Sequence, residues 1–269
     1  MTTTPANPAW PPLIPAGARL PDFGRRLVAG VDEAGRGALA GPVVAAAVIL
    51  NPQLPVEGCA DSKTLSAEQR QTLAAAIKRD ALAWAVASAD VGEIYELNIL
   101  NATMLAMSRA LRGLKVAPQL ALIDGNRRPE TAVACCAVIG GDARVGCISA
   151  ASILAKTERD RQMVRLHSSW PAWNFAAHKG YGTPEHLRAL QTHGACDIHR
   201  KRYRGVRETL AQEHPQQRAQ DQRQQRPQQR AQQRAQQRPQ KHRQQRLQES
   251  RQQQQQEPRR QPAQQRLLK

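Results

Sequence analysis

Apolar positions fall in short runs through the first half of the chain and then recur at helical spacing. Residues 26–32 (R-L-V-A-G-V-D) read as a strand ending in acid. Residues 41–50 (G-P-V-V-A-A-A-V-I-L) read as a second, with Pro42 at its first position, where a missing N–H is tolerated. The glycine-rich connection at 35–41 has hairpin length, so the two strands are expected to pair antiparallel. Ser66 can cap a helix running to about residue 79, with Glu68, Gln69 and Arg70 outward and Leu73, Ala76 and Ile77 inward. Residues 84–89 give a third strand. From 93 to 114, Ile94, Leu97, Asn101, Met104, Leu105, Ser108 and Leu111 recur every three or four residues, a mostly apolar helical stripe. Residues 119–124 (Q-L-A-L-I-D) and 132–139 (A-V-A-C-C-A-V-I) are the fourth and fifth strands. Residues 149–166 form a helix with Ile153, Leu154 and Met163 inside. Three strands in a meander, followed by strand alternating with helix, predict an α/β fold with a mixed sheet flanked by helices. Beyond Trp170 the pattern is loop and short helix.

The two ends do not share this patterning. Residues 1–24 are broken by prolines from Pro5 onward and lack a basic n-region, so they are expected to be neither helix nor signal peptide. The last 59 residues, 211–269, hold 25 Gln, and 14 Lys+Arg against 4 Asp+Glu, in near-repeats of Q-Q-R-A and Q-Q-R-P. Having almost nothing apolar to bury, this tail is expected to be disordered. Pro215, Pro227 and Pro239 limit any helix between them to about three turns. The predicted organisation is a Pro-rich lead-in (1–24), one catalytic domain (25–210) and a basic tail (211–269). Whole-chain charge is +17, from 39 Lys+Arg and 22 Asp+Glu, and favours a polyanionic partner, nucleic acid before membrane. No apolar run is long enough to span a bilayer. Five cysteines without a C-x-x-C pair argue against a disulfide framework and for a reducing, cytoplasmic setting.

Candidate chemistry lies at strand ends. Asp32, Glu33, Asp124 and Asp142 sit at or just beyond the ends of three different strands. If those strands run parallel as neighbours, their carboxyl ends converge where open α/β sheets bind ligands. Clustered carboxylates repel unless a cation compensates, and hard oxygen donors suit Mg²⁺ or Mn²⁺. Such ions activate water and stabilise the leaving oxygen of a phosphodiester. Acids also end strands as ordinary turn formers, but a strand running into D-E-A-G-R-G beside two others ending in Asp is a more specific signal. Because strand neighbours point to opposite faces, Asp32 and Glu33 share a site only if the strand ends or twists between them. His178, His186, His193 and His199, with Cys196 three before His199, lack a second soft pair and read as structural or solvent-exposed rather than zinc-binding.

Six motifs then appear in order: G-V-D-E-A-G-R-G-A-L-A-G-P-V-V (30–44), D-S-K-T-L (61–65), L-I-D-G-N (122–126), G-G-D (140–142), A-S-I-L-A-K (151–156) and H-K-G-Y-G-T (178–183). Together they closely resemble the type 2 ribonucleases H of bacteria (ribonuclease HII), from about residue 27 to 204. The resemblance implies the ribonuclease H fold, a five-stranded mixed sheet with helices, followed here by a small helical extension. It implies a monomeric endonuclease that cuts the RNA strand of RNA–DNA hybrids and nicks DNA 5′ to embedded ribonucleotides. Cleavage by metal-assisted attack of water would leave 3′-hydroxyl and 5′-phosphate ends. Carried over by motif, Asp32, Glu33 and Asp124 are metal ligands and Asp142 is the fourth acid. Gly35, Arg36 and Gly37 match the element whose main chain reads the ribose 2′-hydroxyl, the group that separates RNA from DNA. Tyr181 matches the tyrosine at the RNA–DNA junction, and Lys63 is a candidate phosphate contact. Lys156 and Arg159 are weaker candidates for facing the nucleic-acid backbone. The run I-H-R-K-R-Y-R-G (198–205) departs from the family, placing Tyr203 and extra basic residues in the C-terminal packing. Three rivals remain: a catalytically silent nucleic-acid-binding protein acting through its tail; a type 3 ribonuclease H, which the Pro-rich lead-in and intact G-R-G disfavour; and a transposase-like nuclease, which shares the acids but does not explain the G-R-G and Tyr elements.

Overall fold

The computed structural model describes residues 11–24, 26–56, 58 and 65–213; Lys63 and most of its D-S-K-T-L element (61–64), Cys59 and residues 214–269 of the Gln/Arg-rich tail lie outside them. The described residues build a six-stranded mixed sheet, ordered β1-β6-β5-β2-β3-β4. The long strands are β2 (Val28–Ala34), β3 (Val43–Ile49), β4 (Ala83–Ala89), β5 (Leu120–Asp124) and β6 (Cys135–Val138), and the two-residue β1 is Leu13–Ile14. β2, β3 and β4 form the expected antiparallel meander. β5 and β6 then add in parallel on the other side of β2. The predicted five strands are therefore present, with a sixth drawn from the Pro-rich lead-in.

That sixth strand pairs in parallel with β6, Leu13 beside Ala137 and Ile14 beside Val138. Ile14 is buried with Leu120, Leu122, Cys136 and Val138, so one apolar side chain among prolines is enough to seat it. Arg144 fixes the following turn, donating to the carbonyls of Pro15 and Ala18.

Both sheet faces are covered, which is why every residue of β3 is buried. Val43, Ala45, Ala47 and Ile49 pack with Ile94, Ala102, Ala106 and Met107 of α2 (Val91–Arg112). Ala46 and Val48, one register step away, pack with Ala74 and Ile77 of α1 (Ala67–Asp80) and with Ala150, Ile153 and Leu154 of α3 (Gly146–Ser169). Helix α1 begins on the expected cap: Ser66 accepts from the N–H of Gln69, whose side chain accepts from Ser66 N–H. Helix α3 lies directly on the central strand, since a Cβ on Gly30 would overlap the backbone of Cys147. Short helices α4 (Phe175–His178), α5 (Pro184–His193) and α6 (Arg204–Glu213) complete the described chain. Among the described residues no helix is long and apolar enough to cross a membrane.

Helix α2 departs from the uninterrupted stripe expected over 93–114. It breaks at Asn98 (φ 65°, ψ 166°). The Asn98 side chain then accepts from the N–H groups of Leu100 (3.0 Å) and Asn101 (3.2 Å), capping a fresh helical start. With a positive φ and an extended ψ this is backbone that glycine adopts far more readily, so the two cap hydrogen bonds hold a strained residue in place, and one asparagine both ends a turn and starts the next.

Candidate active site

Parallel pairing brings three strand ends together as the sequence expectation required. Val31 pairs with Ile123 and Asp124 with Val138, which puts Asp32, late in β2, beside Asp124 at the end of β5. Asp142 sits in a single 3₁₀ turn, Gly141–Ala143, just past β6. Its backbone N–H donates to Asp124 Oδ1 at 3.2 Å, tying the third and fourth acids together. Asp32 and Asp142 are buried, unusual for charged side chains. β2 does not end between Asp32 and Glu33 but continues to Ala34. Asp32 instead folds its carboxylate back onto the N–H of Glu33 at 2.7 Å and also hydrogen-bonds Ser152 on α3. Glu33 is held by Arg36 at 3.1 Å.

Electrostatics show how crowded this end of the sheet is. Burial holds the Asp32 carboxyl well above the usual carboxylate range, and the charges of Glu33 and Asp124 push it further. Burial also raises Glu33, against the pull of Arg36, and raises Asp124, against the N–H of Asp142. A folded protein gains nothing in stability from gathering acids this way; a bound cation relieves the repulsion. Among the described residues, no group of three or more His, Cys, Asp or Glu side chains is already arranged to hold a metal ion. The donors, all carboxylate oxygens, nonetheless suit a hard divalent ion by their chemistry.

Beside the acids the 35–41 loop carries the G-R-G element. Gly35 has φ +95°, and a Cβ there would overlap Arg159 Nε, so both conformation and packing require glycine. Gly37 is different: its φ is unexceptional and a Cβ would meet nothing within 4 Å among the described residues. The H-K-G-Y-G-T segment docks on the same loop, Leu39 N–H donating to the Gly180 carbonyl at 2.8 Å. This sets the half-buried Tyr181 beside Gly35, with the Arg159 guanidinium 4.9 Å from its ring.

The description "Ribonuclease HII" fits residues 29–206 of the chain. The chain belongs to the ribonuclease HII family. The Ribonuclease HII of Bordetella pertussis is 59% identical over 181 residues, 67% of this chain and 90% of its own length. That of Burkholderia pseudomallei is 60% identical over 184 residues, 68% of this chain and 86% of its own. Among solved structures, the ribonuclease H2 of Pyrococcus horikoshii superposes with a TM-score of 0.57 at 27% identity, covering 68% of this chain and 96% of that one. The chain is thus an endoribonuclease of the H type, with the fold expected from its motifs.

Within this ribonuclease HII, Ser152, which hydrogen-bonds Asp32, and Arg159, which lies against Gly35 and the Tyr181 ring, support the site. Ser149, Ser152, Lys156 and Arg159 form a polar stripe at helical spacing along α3, a signal readable in A-S-I-L-A-K-T-E-R. Arg159, a weaker candidate for facing the nucleic-acid backbone, is instead fully buried, while Lys156 pairs with Asp160 at 2.6 Å. Tyr203, the family departure, donates its hydroxyl to the Arg36 carbonyl at 2.7 Å and so braces the G-R-G loop.

Three of the four histidines are buried supports of the Tyr181 segment; His193 is exposed. Their partners assign the tautomers. Cys196 N–H donates to His199 Nδ1 (2.9 Å), leaving His199 Nε2 to donate to His186 Nε2 (3.0 Å) and His186 Nδ1 to donate to the Tyr181 carbonyl (3.0 Å). His178 stacks on His186 with ring centroids 4.4 Å apart. The chain works only with neutral rings, and burial lowers His186 and His199 to about 4. Folded pKa values below the unfolded 6.5 mean stability is complete above pH 6.5 and lost as pH falls toward 4. Denaturant unfolding at stepped pH is expected to show a loss of ~3 kcal/mol or more between those limits. The His186→Gln variant should show a shallower loss; an unchanged slope would remove the histidines as its cause.

Proposed function

We propose that the chain hydrolyses the RNA strand of RNA–DNA hybrids and nicks duplex DNA 5′ to an embedded ribonucleotide, leaving 3′-hydroxyl and 5′-phosphate ends. Gly37 carries this reading. Beside an acid cluster stands a glycine that neither backbone strain nor packing demands, so its missing side chain answers an approach from outside. A ribose brought against bare main chain is such an approach.

On this reading Asp32, Glu33 and Asp124 hold Mg²⁺ or Mn²⁺, with Asp142 completing the acid set. When bound, the ions supply activation of water and stabilisation of the leaving oxygen. Ser152 and the Asp142 N–H orient the Asp32 and Asp124 carboxylates. The main chain of Gly35, Arg36 and Gly37 reads the 2′-hydroxyl, and the Tyr181 ring packs on the sugar at the RNA–DNA junction. Lys63, outside the described residues, is assigned a phosphate. The deciding experiment offers the full chain a DNA duplex with one ribonucleotide and its all-DNA twin, in Mg²⁺ or Mn²⁺ and in EDTA. Cleavage is expected only with the ribonucleotide and the metal. Tight binding without cleavage in either metal would favour the silent, tail-driven binder.

The tail enters as an accessory. Arg226, Arg230, Arg234 and Arg238 recur every fourth residue, and such a segment contacts phosphates without reading sequence. Deleting residues 214–269 is expected to leave the single-turnover rate within about twofold, while the slope of log K against log salt flattens by roughly 3. An unchanged slope would make the repeats bystanders.

A further inference from the structure

Two arginines lie beneath the G-R-G loop, and neither has an ion-pair partner within 4 Å among the described residues. Arg159 is 0% exposed and Arg200 is 2% exposed. Buried guanidinium groups ordinarily sit against carboxylates. Here they are met by backbone carbonyls instead, and each keeps one nitrogen, Arg159 Nη1 and Arg200 Nη2, with no hydrogen-bond partner among the described residues. Leaving buried donors unmet is unfavourable. Retaining two of them under one short loop calls for an explanation beyond packing.

The two grips differ. Arg159 donates from Nε to the Pro42 carbonyl (3.1 Å) and from Nη2 to the Ala40 carbonyl (3.2 Å). Its Nε fills the space a Gly35 side chain would take, and its guanidinium carbon stands 4.9 Å from the Tyr181 ring centre. Arg200 donates to the Gly41 carbonyl (2.9 Å) and the Arg36 carbonyl (2.9 Å), with Tyr203 beside it. Arg159 therefore touches both the G-R-G loop and the tyrosine, whereas Arg200 touches the loop.

We infer that Arg159 is a positioning residue for junction recognition: one planar, buried guanidinium sets the spacing between Gly35 and the Tyr181 ring. The inference rests on the reading of those two elements given above. Guanidinium suits the task because it is flat, always charged, donates in fixed directions and attracts an aromatic face. Lysine has the charge but cannot span two carbonyls and a ring in one plane. A duplex with a single ribonucleotide presents its junction at the one place it can be cut. A continuous hybrid offers ribose at every position and no junction at most of them. Moving Tyr181 relative to Gly35 thus harms the first substrate more than the second. Arg200 holds only the ribose-reading loop, so its loss harms both alike.

The test compares the full-length chain with Arg159→Lys and Arg200→Lys on both substrates, under single turnover in Mg²⁺, each variant kept below its measured unfolding temperature. Arg159→Lys should lower the ratio of single-ribonucleotide to hybrid cleavage by about tenfold. Arg200→Lys should lower both rates and leave the ratio within about twofold. A purely structural role moves rates and melting temperature without moving the ratio. Parallel loss on both substrates in Arg159→Lys, or a ratio that falls equally in the two variants, overturns the inference. The unmodified chain reports separately on the underlying reading: if it cuts the hybrid but not the single-ribonucleotide duplex, junction recognition itself fails.

Discussion

Asp32→Asn should lower cleavage of a single-ribonucleotide duplex by about a thousand-fold or more, and at the same time raise the unfolding temperature measured in EDTA at pH 7. The second half separates a functional acid from a structural one. Asp32 is only 5% exposed, with Glu33 and Asp124 close enough to oppose its ionisation. Its folded pKa lies above the unfolded value, so the native state holds this proton to higher pH and loses stability as pH rises through that window. Asparagine has the same shape and no charge, so it removes the penalty and keeps a partner for Ser152. Adding Mg²⁺ should raise the melting temperature of the unmodified chain and leave the variant nearly unmoved. Cleavage within threefold of the unmodified chain, or a lower melting temperature in EDTA, would take Asp32 out of the site.

Phe175→Ala carries the largest expected loss of stability, about 3–5 kcal/mol, or roughly 10 °C in melting temperature. Phe175 is fully buried in the four-residue helix α4. It lies 5.5 Å from the rings of His186 and His199, 5.9 Å from His178 and 6.4 Å from Trp173. A helix this short has little stability of its own and depends on that anchor. Since His186 ends the hydrogen-bond chain on the Tyr181 carbonyl, the cavity should also loosen the tyrosine. Single-ribonucleotide cleavage is expected to fall well before the protein unfolds. Calorimetry and a cleavage assay at the same temperatures check both; a shift below about 3 °C would mean the surrounding rings close over the gap.

Much of this was legible in the sequence because the signals were local and repeated. Three apolar runs ending in acid gave the strands, and the parallel neighbours β2, β5 and β6 bring those ends together. The capping box at Ser66 and the hairpin at 35–41 depend on neighbours in sequence, and both form. What could not be read depends on partners far along the chain. The α2 stripe gave no warning at Asn98, because a periodic pattern cannot show a turn that its own asparagine recaps. Arg159 read as a basic surface residue, since its partners, the carbonyls of Ala40 and Pro42, lie more than a hundred positions away. Tyr203 read as a departure in the C-terminal packing; it braces the Arg36 carbonyl 167 residues upstream. Glu33 does not reach the site by its strand ending before it, since β2 runs on to Ala34.

The two-residue strand at Leu13–Ile14 has a consequence for how this chain is handled and how it resists association. It lies upstream of residue 29, where the family correspondence begins. A version trimmed to that boundary would strip the cover from β6 and leave the N–H groups of Ala137 and Ile139, which now donate to the carbonyls of Pro12 and Ile14, facing water. Open rungs on an apolar strand are a template for a second chain to add itself. The unremarkable Pro-rich lead-in is thus a selvedge: it finishes the sheet's margin, and its prolines cannot extend the weave.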